Sequence, residues 1–380
     1  MTPAKPSLDL LRSLTDEHVL RALLDERRLT RAEVASRTGI SKPTVSDSVR
    51  RLTEAGLLRD TGERTTGRGR VGTYYGLAED LGSALVVGIA PEGVVAETVD
   101  VYGEVVAREV EELGRPARPE QVTRALRAAA ARAQAGGPAP ARLTVVSAAD
   151  PVDRSSGRLV HLPDAPFLLG ELSPAEALAP LVVGPVTVDN DVNWAARAER
   201  SAAAPDVLDD FAYVYLGEGL GCAVVADGEV RRGHGGVAGE IAHVLTRGPG
   251  GRAVHLTDVF AELDLRQAGS TAIDTAALLR AVTTEDAQAG RLRTALAEAI
   301  CGVLAALVVL ADPRLVVIGG TWGTHPAVLG AIAGEFGRLP RHVPVRVARV
   351  TTEPSLVGAR RQALHDLRAA ILAQPETVVR

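Results

Sequence analysis

Apolar positions in the N-terminal part of the chain recur at helical spacing. In "TRAEVASRTG" a Thr-x-x-Glu capping box opens the pattern and a glycine ends it. In "SKPTVSDSVRRLTEAGLL" a serine can cap the helix, a proline lies in its first turn, and apolar residues recur at i, i+4 and i+7. Before them, "TDEHVLRALLDE" can be capped by Thr15 and carries one apolar stripe: Val19, Leu20, Leu23 and Leu24. The pattern predicts three short helices, the third packing on the second.

The third helix leaves polar side chains largely off its apolar stripe, namely Lys42, Thr44, Ser46, Asp47, Ser48, Arg50 and Arg51. The following "LRDTGERTTGRGRVGTYYGL" predicts a β-hairpin wing with arginines among glycines. Such a helix suits the DNA major groove, and such a wing suits phosphates or the minor groove. The alternative is a small helical protein-interaction domain. We predict a winged helix-turn-helix with these DNA contacts: Arg31, Ser41, Lys42, Pro43, Thr44, Ser46, Arg50, Arg51, Arg68 and Arg70.

The pattern changes to β-type alternation after Leu77 and occurs twice. "ALVVGIAPEGVVAETVDVYGEVVARE" predicts three strands joined by turns, and "FAYVYLGEGLGCAVVADGEVRRG" repeats the plan. Between the copies, "PVTVDN" runs into a helix, which puts Asn190, Asp191 and Asn193 at a strand-to-helix junction. Such junctions face clefts in open α/β sheets. The chain is therefore predicted to be a duplicated, two-lobed α/β protein with a cleft between its lobes.

Composition and charge indicate which kind of partner the N-terminal domain has. The chain has 380 residues, of which 46% are hydrophobic. On the sequence pattern, we expect no apolar run that approaches the roughly 18 to 20 residues of a membrane span. Its two cysteines lie far apart, and no secretion signal is evident, so we expect a cytoplasmic protein without a disulfide framework. The net charge is −5, but residues 1–77 hold 14 Lys and Arg against 10 Asp and Glu. A basic N-terminal domain on an acidic body indicates a polyanionic partner for that domain.

Several motifs, in order, resemble those of the ROK family (repressors, open reading frames and sugar kinases), on its repressor branch. They are "TRAEVASRTGISKPTVSDSVRRLTEAGLL", "VDNDVNWAARAE", "GEGLGCAVVADGEVRRGHGGVAGEIAH" and "DPRLVVIGGTW", and the resemblance runs from about Leu8 to Leu372. It implies an α/β two-lobed, actin-like/hexokinase-like body fused to the winged helix-turn-helix. The predicted divisions are 1–77 for the DNA-binding domain, 78–84 for a linker, 85–205 for the first lobe, completed by a C-terminal helix at 355–373, and 206–354 for the second.

The resemblance also implies a sugar site. Asp191 matches the residue that acts as base in family kinases, and Asn190, Glu240 and His243 match sugar contacts. The family's later glutamate falls on Asp258, and Asp164 stands where an asparagine is usual; Asp150 breaks a "PGP" motif. Three explanations stay open for the departures at Asp150 and Asp164: a pocket tuned to an unusual or cationic (amino) sugar, a pocket that no longer binds sugar, and loop drift without consequence.

Two other departures bear on chemistry. Most family members hold a structural zinc with one histidine and three cysteines, whereas "HVLTRGPGGRAVHLTD" has no cysteine, so we predict no zinc and a loop that is either more mobile or held by packing of Leu256 and Val259. In the phosphate loops Ala90 replaces an acid, and Pro91, Glu92 and Glu218 replace small or hydroxyl residues. Carboxylates there would repel phosphates, so no kinase activity and no cofactor are expected.

These observations predict a transcriptional regulator, a repressor, that binds a double-stranded DNA operator as a homodimer or dimer of dimers and senses a sugar or sugar derivative. No membrane association is expected. Two alternatives stay open: a DNA-binding protein whose body is only a dimerisation scaffold without effector, and a sugar kinase with an accessory DNA-binding domain.

Overall fold

The computed structural model describes residues 8–66, 71–137, 141–162, 167–203 and 208–373. The N-terminal domain consists of α1 (Leu8–Asp25), β1 (Leu29–Thr30), α2 (Arg31–Thr38), α3 (Lys42–Glu54), β2 (Leu58–Arg64) and β3 (Thr73–Leu77). The strands form a sheet in the order β1-β3-β2, in which β2 and β3 pair antiparallel. The three predicted helices and the hairpin of the winged helix-turn-helix are confirmed.

Local hydrogen bonds explain where these helices begin. The capping box of α2 is present: the Thr30 hydroxyl accepts from the Glu33 N–H (3.2 Å), and the Glu33 carboxylate accepts from the Thr30 N–H (2.7 Å). Thr15 does not cap α1, contrary to the prediction. It lies inside the helix, because α1 begins at Leu8, and its hydroxyl donates to the Leu11 carbonyl (2.8 Å).

The first lobe has a five-stranded sheet flanked by helices. Its elements are β4 (Ser83–Ala90), β5 (Gly93–Val99), β6 (Val105–Glu112), α4 (Pro119–Ala135), β7 (Ala141–Ala148), α5 (Pro174–Leu178), β8 (Val186–Asn190) and α6 (Asp191–Ala202). The sheet order is β6-β5-β4-β7-β8. The first three strands are antiparallel, whereas β7 and β8 run parallel to β4.

The second lobe repeats that topology. Its elements are β9 (Phe211–Leu216), β10 (Leu220–Ala226), β11 (Glu229–Val230), a 3₁₀ turn (Ile241–His243), β12 (Leu245–Arg247), β13 (Ala253–His255), α7 (Leu256–Glu262), α8 (Thr275–Thr283), α9 (Ala287–Ala311), β14 (Val316–Gly319), α10 (Pro326–Phe336) and β15 (Val345–Val347). The main sheet has the order β11-β10-β9-β14-β15, antiparallel at β11, β10 and β9 and parallel at β14 and β15. The predicted duplication is therefore confirmed at the level of topology.

The last helix, α11 (Pro354–Leu372), returns from the second lobe to the first. It lies directly on α6, where Gly358 permits backbone contact: a Cβ at this position would lie 2.0 Å from the Trp194 carbonyl oxygen. Towards its end α11 reaches the N-terminal domain, because the Arg368 guanidinium donates to the carbonyl oxygens of Val101 and Leu24 (3.0 Å each).

One continuous hydrophobic core joins the N-terminal domain to the first lobe. It contains buried residues of α1, α3, β4, β7 and α11, including Val19, Val49, Ala84, Val145, Leu367 and Ile371. The predicted linker, 78–84, belongs to this core, with Leu81 buried and β4 beginning at Ser83. The N-terminal domain is thus packed on the first lobe through a shared core, although Glu79 and Asp80 of the connecting segment are exposed.

A buried ion pair holds α11 on the first-lobe sheet. Glu97 on β5 is fully buried, and its carboxylate accepts two hydrogen bonds from the Arg360 guanidinium of α11, at 2.5 Å from Nε and 2.8 Å from Nη2. Arg108 on β6 donates to the same carboxylate. Both arginines also bind Glu353, and these contacts lower the pKa of the Glu353 carboxyl against its partial burial.

Helix α9 is apolar along most of its length. Among the helices that the structure describes, it alone is long and apolar enough to cross a membrane by length and composition, and 44% of its most apolar stretch is buried. Its inner face packs in the core of the second lobe through Leu296, Ile300, Val303 and Leu304. The sequence pattern did not indicate an apolar run of this length, because Glu298 interrupts the apolar positions.

Candidate functional site

The N-terminal end of α3 presents an exposed polar surface. Ser41 caps the helix: its Oγ accepts from the Thr44 N–H (3.4 Å) and lies 2.7 Å from the Thr44 Oγ1. Lys42, Pro43 and Thr44 are exposed, Ser46 is partly buried, and Arg50 lies one turn further along. Arg50 is exposed and lies 3.5 Å from the Asp47 carboxylate. These side chains leave the first turns of α3 and the Arg50 position accessible, as a helix that enters a DNA groove requires.

Two residues of the predicted polar face point elsewhere. Ser48 is fully buried and its hydroxyl donates to the Asp16 carboxylate (2.5 Å). Arg51 donates to the same carboxylate through Nη2 (2.6 Å) and Nε (3.2 Å). The assignment of Arg51 to DNA is corrected accordingly, because its guanidinium fastens α3 to α1.

Two other arginines near the wing, Arg31 on α2 and Arg64 on β2, are held by different partners. Arg31 is exposed at the start of α2, stacks over the Tyr75 ring (4.9 Å to the centroid) and donates to the Tyr75 hydroxyl (2.7 Å). Arg64 is held by Asp60 across 2.8 and 3.0 Å. The predicted contacts Arg68 and Arg70 lie outside the described residues.

A cavity of about 720 Å³ lies between the two lobes. Four of the predicted ligand residues line it: Asn190, Asp191, Glu240 and His243. Asp258 does not. Its carboxylate accepts from Arg266 (3.0 Å), which replaces the predicted ligand contact by an ion pair. Asp164 lies outside the described residues.

Some polar residues at the strand-to-helix junction stabilise the fold, and others line the cavity. Asp189 is buried and structural: it accepts from Arg197 (2.7 Å) and Asn193 (2.8 Å). Asn190 caps α6 by accepting from the Val192 N–H (2.9 Å). Asp191 also accepts from that N–H (2.7 Å), and its carboxylate faces the cavity.

Three carboxylates meet in the cavity, and one of them was not predicted as a ligand residue. Asp150, only 4% exposed, lines the cavity beside Asp191 and Glu240. Burial, then the charges of Asp191 and Glu240, raise the pKa of Asp150 to about 7. Burial likewise raises the pKa of Asp191 to about 7, and burial together with Asp191 raises that of Glu240 to about 7. The sequence signal was the broken "PGP" motif, which marks a change without indicating its neighbours.

We expect Asp150→Asn to stabilise the ligand-free protein at about pH 8 and to change little below about pH 4. The folded pKa of about 7 lies above the ordinary 3.8, so the folded state holds this proton more tightly and loses stability as pH rises from about 4 to about 7. The variant cannot ionise and avoids roughly 1–2 kcal/mol of this loss, since water in the cavity relaxes part of the full shift. Thermal unfolding across this pH range measures the effect, and an equal stabilisation at both ends contradicts it.

The two turns that resemble phosphate loops carry an ion pair. Glu92 lies between β4 and β5, and Glu218 lies between β9 and β10. Arg115 binds Glu218 and lies 3.6 Å from Glu92, so one guanidinium joins carboxylates of the two lobes. Carboxylates at these turns oppose phosphate binding.

The segment that resembles the family's zinc loop is a small hairpin. β12 and β13 pair antiparallel, and the Thr246 hydroxyl between them and α9 donates to the Ala299 carbonyl (2.6 Å). Leu256 and Val259 are fully buried behind it, which favours the packed loop over the mobile one. Within the described ranges, no group of three or more His, Cys, Asp or Glu could hold a metal ion.

Protein purified without chelator is expected to carry well below one zinc per chain. The reason is the donor set: only His243 and His255 are near, their ring centroids are 6.4 Å apart, and zinc requires about four N or S donors. Metal analysis by mass spectrometry measures this. Dialysis against a chelator serves as control and leaves the thermal midpoint unchanged. One zinc per chain, with a midpoint lowered by the chelator, contradicts the prediction.

A winged helix-turn-helix domain packed on a duplicated, two-lobed body with an interlobe cavity defines a protein of the DNA-binding winged-helix class built on an actin-like/hexokinase-like fold. The ROK family model matches residues 94–360, and a winged helix-turn-helix DNA-binding model matches residues 12–59. The chain belongs to the ROK family and carries an N-terminal winged helix-turn-helix domain.

Relatives include both regulators and enzymes. The xylose repressor of Caldicellulosiruptor bescii is 24% identical over 238 residues, which cover 62% of this chain and 59% of that protein. The N-acetylmannosamine kinase of Salmonella typhimurium is 30% identical over 232 residues, or 58% of this chain and 72% of that enzyme. A solved ROK family transcriptional regulator, described as a homolog of the E. coli MLC protein, has a TM-score of 0.65 at 18% identity and covers 96% of this chain and 99% of its own.

Proposed function

We propose that this chain is a transcriptional repressor that binds its operator as a homodimer and releases or tightens it when a sugar enters the interlobe cavity. The observation that carries the proposal is the placement of α11. Its first residues, Pro354, Ser355 and Leu356, line the cavity, and its last turns pack on the DNA-binding domain. One helix of about 28 Å thus spans the distance from ligand to DNA domain.

Ligand binding can act on DNA through this helix only if it favours one arrangement of the lobes over another. Cavity groups come from both lobes, Asp150 and Asp191 from the first and Glu240 and His243 from the second. A sugar that contacts all four favours the closed cleft. A shift of the lobes would displace α11, and Arg368 at its far end binds the Leu24 carbonyl of α1.

Dimerisation completes the proposal. A single winged helix makes few base contacts, whereas two of them on a palindromic site add their binding free energies. In this arrangement a small rotation of each DNA-binding domain alters the spacing of two recognition helices. The protein would act in the cytoplasm, where the operator is accessible.

A sugar kinase is the alternative that the N-acetylmannosamine kinase relative favours. We expect no sugar-dependent consumption of ATP, because Glu92 and Glu218 occupy the phosphate turns and Ala90 supplies no acid for Mg²⁺. A coupled ADP assay with hexoses and N-acetylhexosamines measures it. ATP consumption that depends on one sugar and is lost in Asp191→Ala would overturn the expectation.

The proposal is tested by capturing genomic fragments with the purified protein at near-physiological salt, with and without sugar mixtures. Discrete palindromic sites that are lost or shifted when one sugar is added support a ligand-gated regulator. Discrete sites that no sugar affects favour the scaffold alternative. A failure to select any site contradicts DNA binding through α3.

A further inference from the structure

Apart from His243, the ionisable side chains that line the cavity and can carry charge near neutral pH are all acidic. Its described lining contains no lysine or arginine and six carboxylates: Glu92, Asp150, Asp191, Glu218, Glu240 and Glu353. A cleft lined by one sign of charge concentrates ligands of the opposite sign. The lining therefore disfavours an anionic sugar, such as a sugar phosphate, as the occupant.

Three of the six carboxylates have cationic partners. Arg115 binds Glu218 and lies near Glu92, while Arg108 and Arg360 bind Glu353. These three acids lie towards the turns and the start of α11, where the arginines offset part of their charge.

The other three, Asp150, Asp191 and Glu240, form no ion pair within the described part of the chain. Among these three, Asp150 is the most deeply buried. It is 96% buried, and its Oδ2 has no hydrogen-bond partner among the described residues. A buried carboxylate left without partner is destabilising, and its neighbours repel it. The arrangement is complete only when an occupant brings positive charge and donors.

The size of the space selects among cations. Among the described residues no group of acids and histidines is arranged to hold a metal ion, and a cavity of about 720 Å³ has room for a larger cation. The rest of the lining suits a polyol, with Asn190, Thr321, Thr351 and Ser355 on its walls and a buried Tyr213 hydroxyl that lacks a partner among the described residues. An ammonium group offers charge and three donors together, whereas a hydroxyl offers one donor and no charge.

We propose that the cavity takes a cationic polyol, an amine-bearing sugar, whose ammonium group is held by Asp150 while Asp191 and Glu240 accept from it or from neighbouring hydroxyls. This inference rests on the proposed function, because it names the chemical class of the effector. It also gives a reason for the departure at Asp150, where a neutral sugar would leave the carboxylate unpaired.

The test uses glucosamine, galactosamine and mannosamine, each beside its parent hexose and its N-acetyl derivative. Isothermal titration of the full-length protein at about pH 7.5 is expected to detect binding of at least one hexosamine and at least about 30-fold weaker binding of its two neutral counterparts. Asp150→Asn is expected to weaken hexosamine binding by about 30-fold or more. This variant keeps the side-chain shape and removes buried repulsion, so it should fold.

Asp153→Asn is the matched control. Asp153 lies on the same loop, is only partly buried, does not line the cavity, and accepts from Ser155 and Ser156, so the substitution removes the same charge without touching the cavity. It should leave hexosamine affinity unchanged. Equal binding of a neutral counterpart, an unchanged affinity in Asp150→Asn, or no binding of any hexosamine overturns the inference.

Operator binding measured on the same samples separates the inference from the proposed function. A hexosamine that binds through Asp150 but leaves operator affinity unchanged supports the inference and contradicts effector control. A neutral sugar that binds and alters operator affinity supports the proposed function and overturns the inference.

Discussion

Arg50→Glu is expected to lower operator affinity at least about 100-fold while leaving the fold intact. Arg50 is exposed on α3, and its side chain is 63% accessible, so the change should alter stability by less than about 0.5 kcal/mol. A lost contact to a phosphate or base edge costs roughly 1–3 kcal/mol, and a new carboxylate adds repulsion from the backbone. In a dimer both half-sites suffer the loss. Titration of the captured operator at fixed salt measures the effect.

The matched control is Arg338→Glu. Arg338 is also exposed and also follows an acid by three residues, in this case Glu335, but it lies beside α10 in the second lobe. The two variants change net charge equally, so a general electrostatic effect would lower both affinities alike. Equal losses, or a loss below about fivefold in Arg50→Glu, would contradict the assignment of α3 to the groove.

Arg360→Met is expected to destabilise the protein by about 3–5 kcal/mol, the largest effect on stability that we predict. The substitution removes two hydrogen bonds from the fully buried Glu97 and leaves that carboxylate with Arg108 alone. It also loosens α11 from the first-lobe sheet. Urea unfolding followed by circular dichroism measures the change, taken from the transition that includes the first lobe.

Two comparisons isolate the cause of that loss. Combining Arg360→Met with Glu97→Met is expected to restore much of the stability, because an apolar pair often replaces a buried ion pair without loss, whereas a lone charge does not. Arg338→Met breaks an exposed pair and should cost under about 1 kcal/mol. A cost of similar size for Arg360→Met would show that the Glu97 contact is not structural.

The sequence predicted an element or a residue position correctly where the residues that determine it are neighbours in the chain. Helical spacing and the Thr30–Glu33 box predicted α2, and the strand-to-helix junction placed Asn190 and Asp191 at the cleft. The duplicated strand pattern predicted two lobes of like topology. In each case the relevant residues are neighbours in the chain or repeat at a fixed period.

What the sequence could not predict depends on partners distant along the chain. Arg51 looked like a DNA contact because only tertiary structure brings Asp16 to it. Asp258 looked like a ligand residue until Arg266 was seen to hold it. Asp150 marked a broken motif, and nothing in its own segment indicated that Glu240 would lie across the same cavity. Assembly, metal content and effector stay predictions.

The shared core of α1, α3, the first lobe and α11 has a consequence for genetics. Variants that lose operator binding are not expected to map only to α3, since any substitution that unfolds part of α11 also disturbs the core on which α1 and α3 pack. Alleles in α11, far from α3 in sequence, can therefore share the phenotype of alleles in α3. A screen for loss of binding has to be paired with a measure of folding before its hits are assigned to DNA contact.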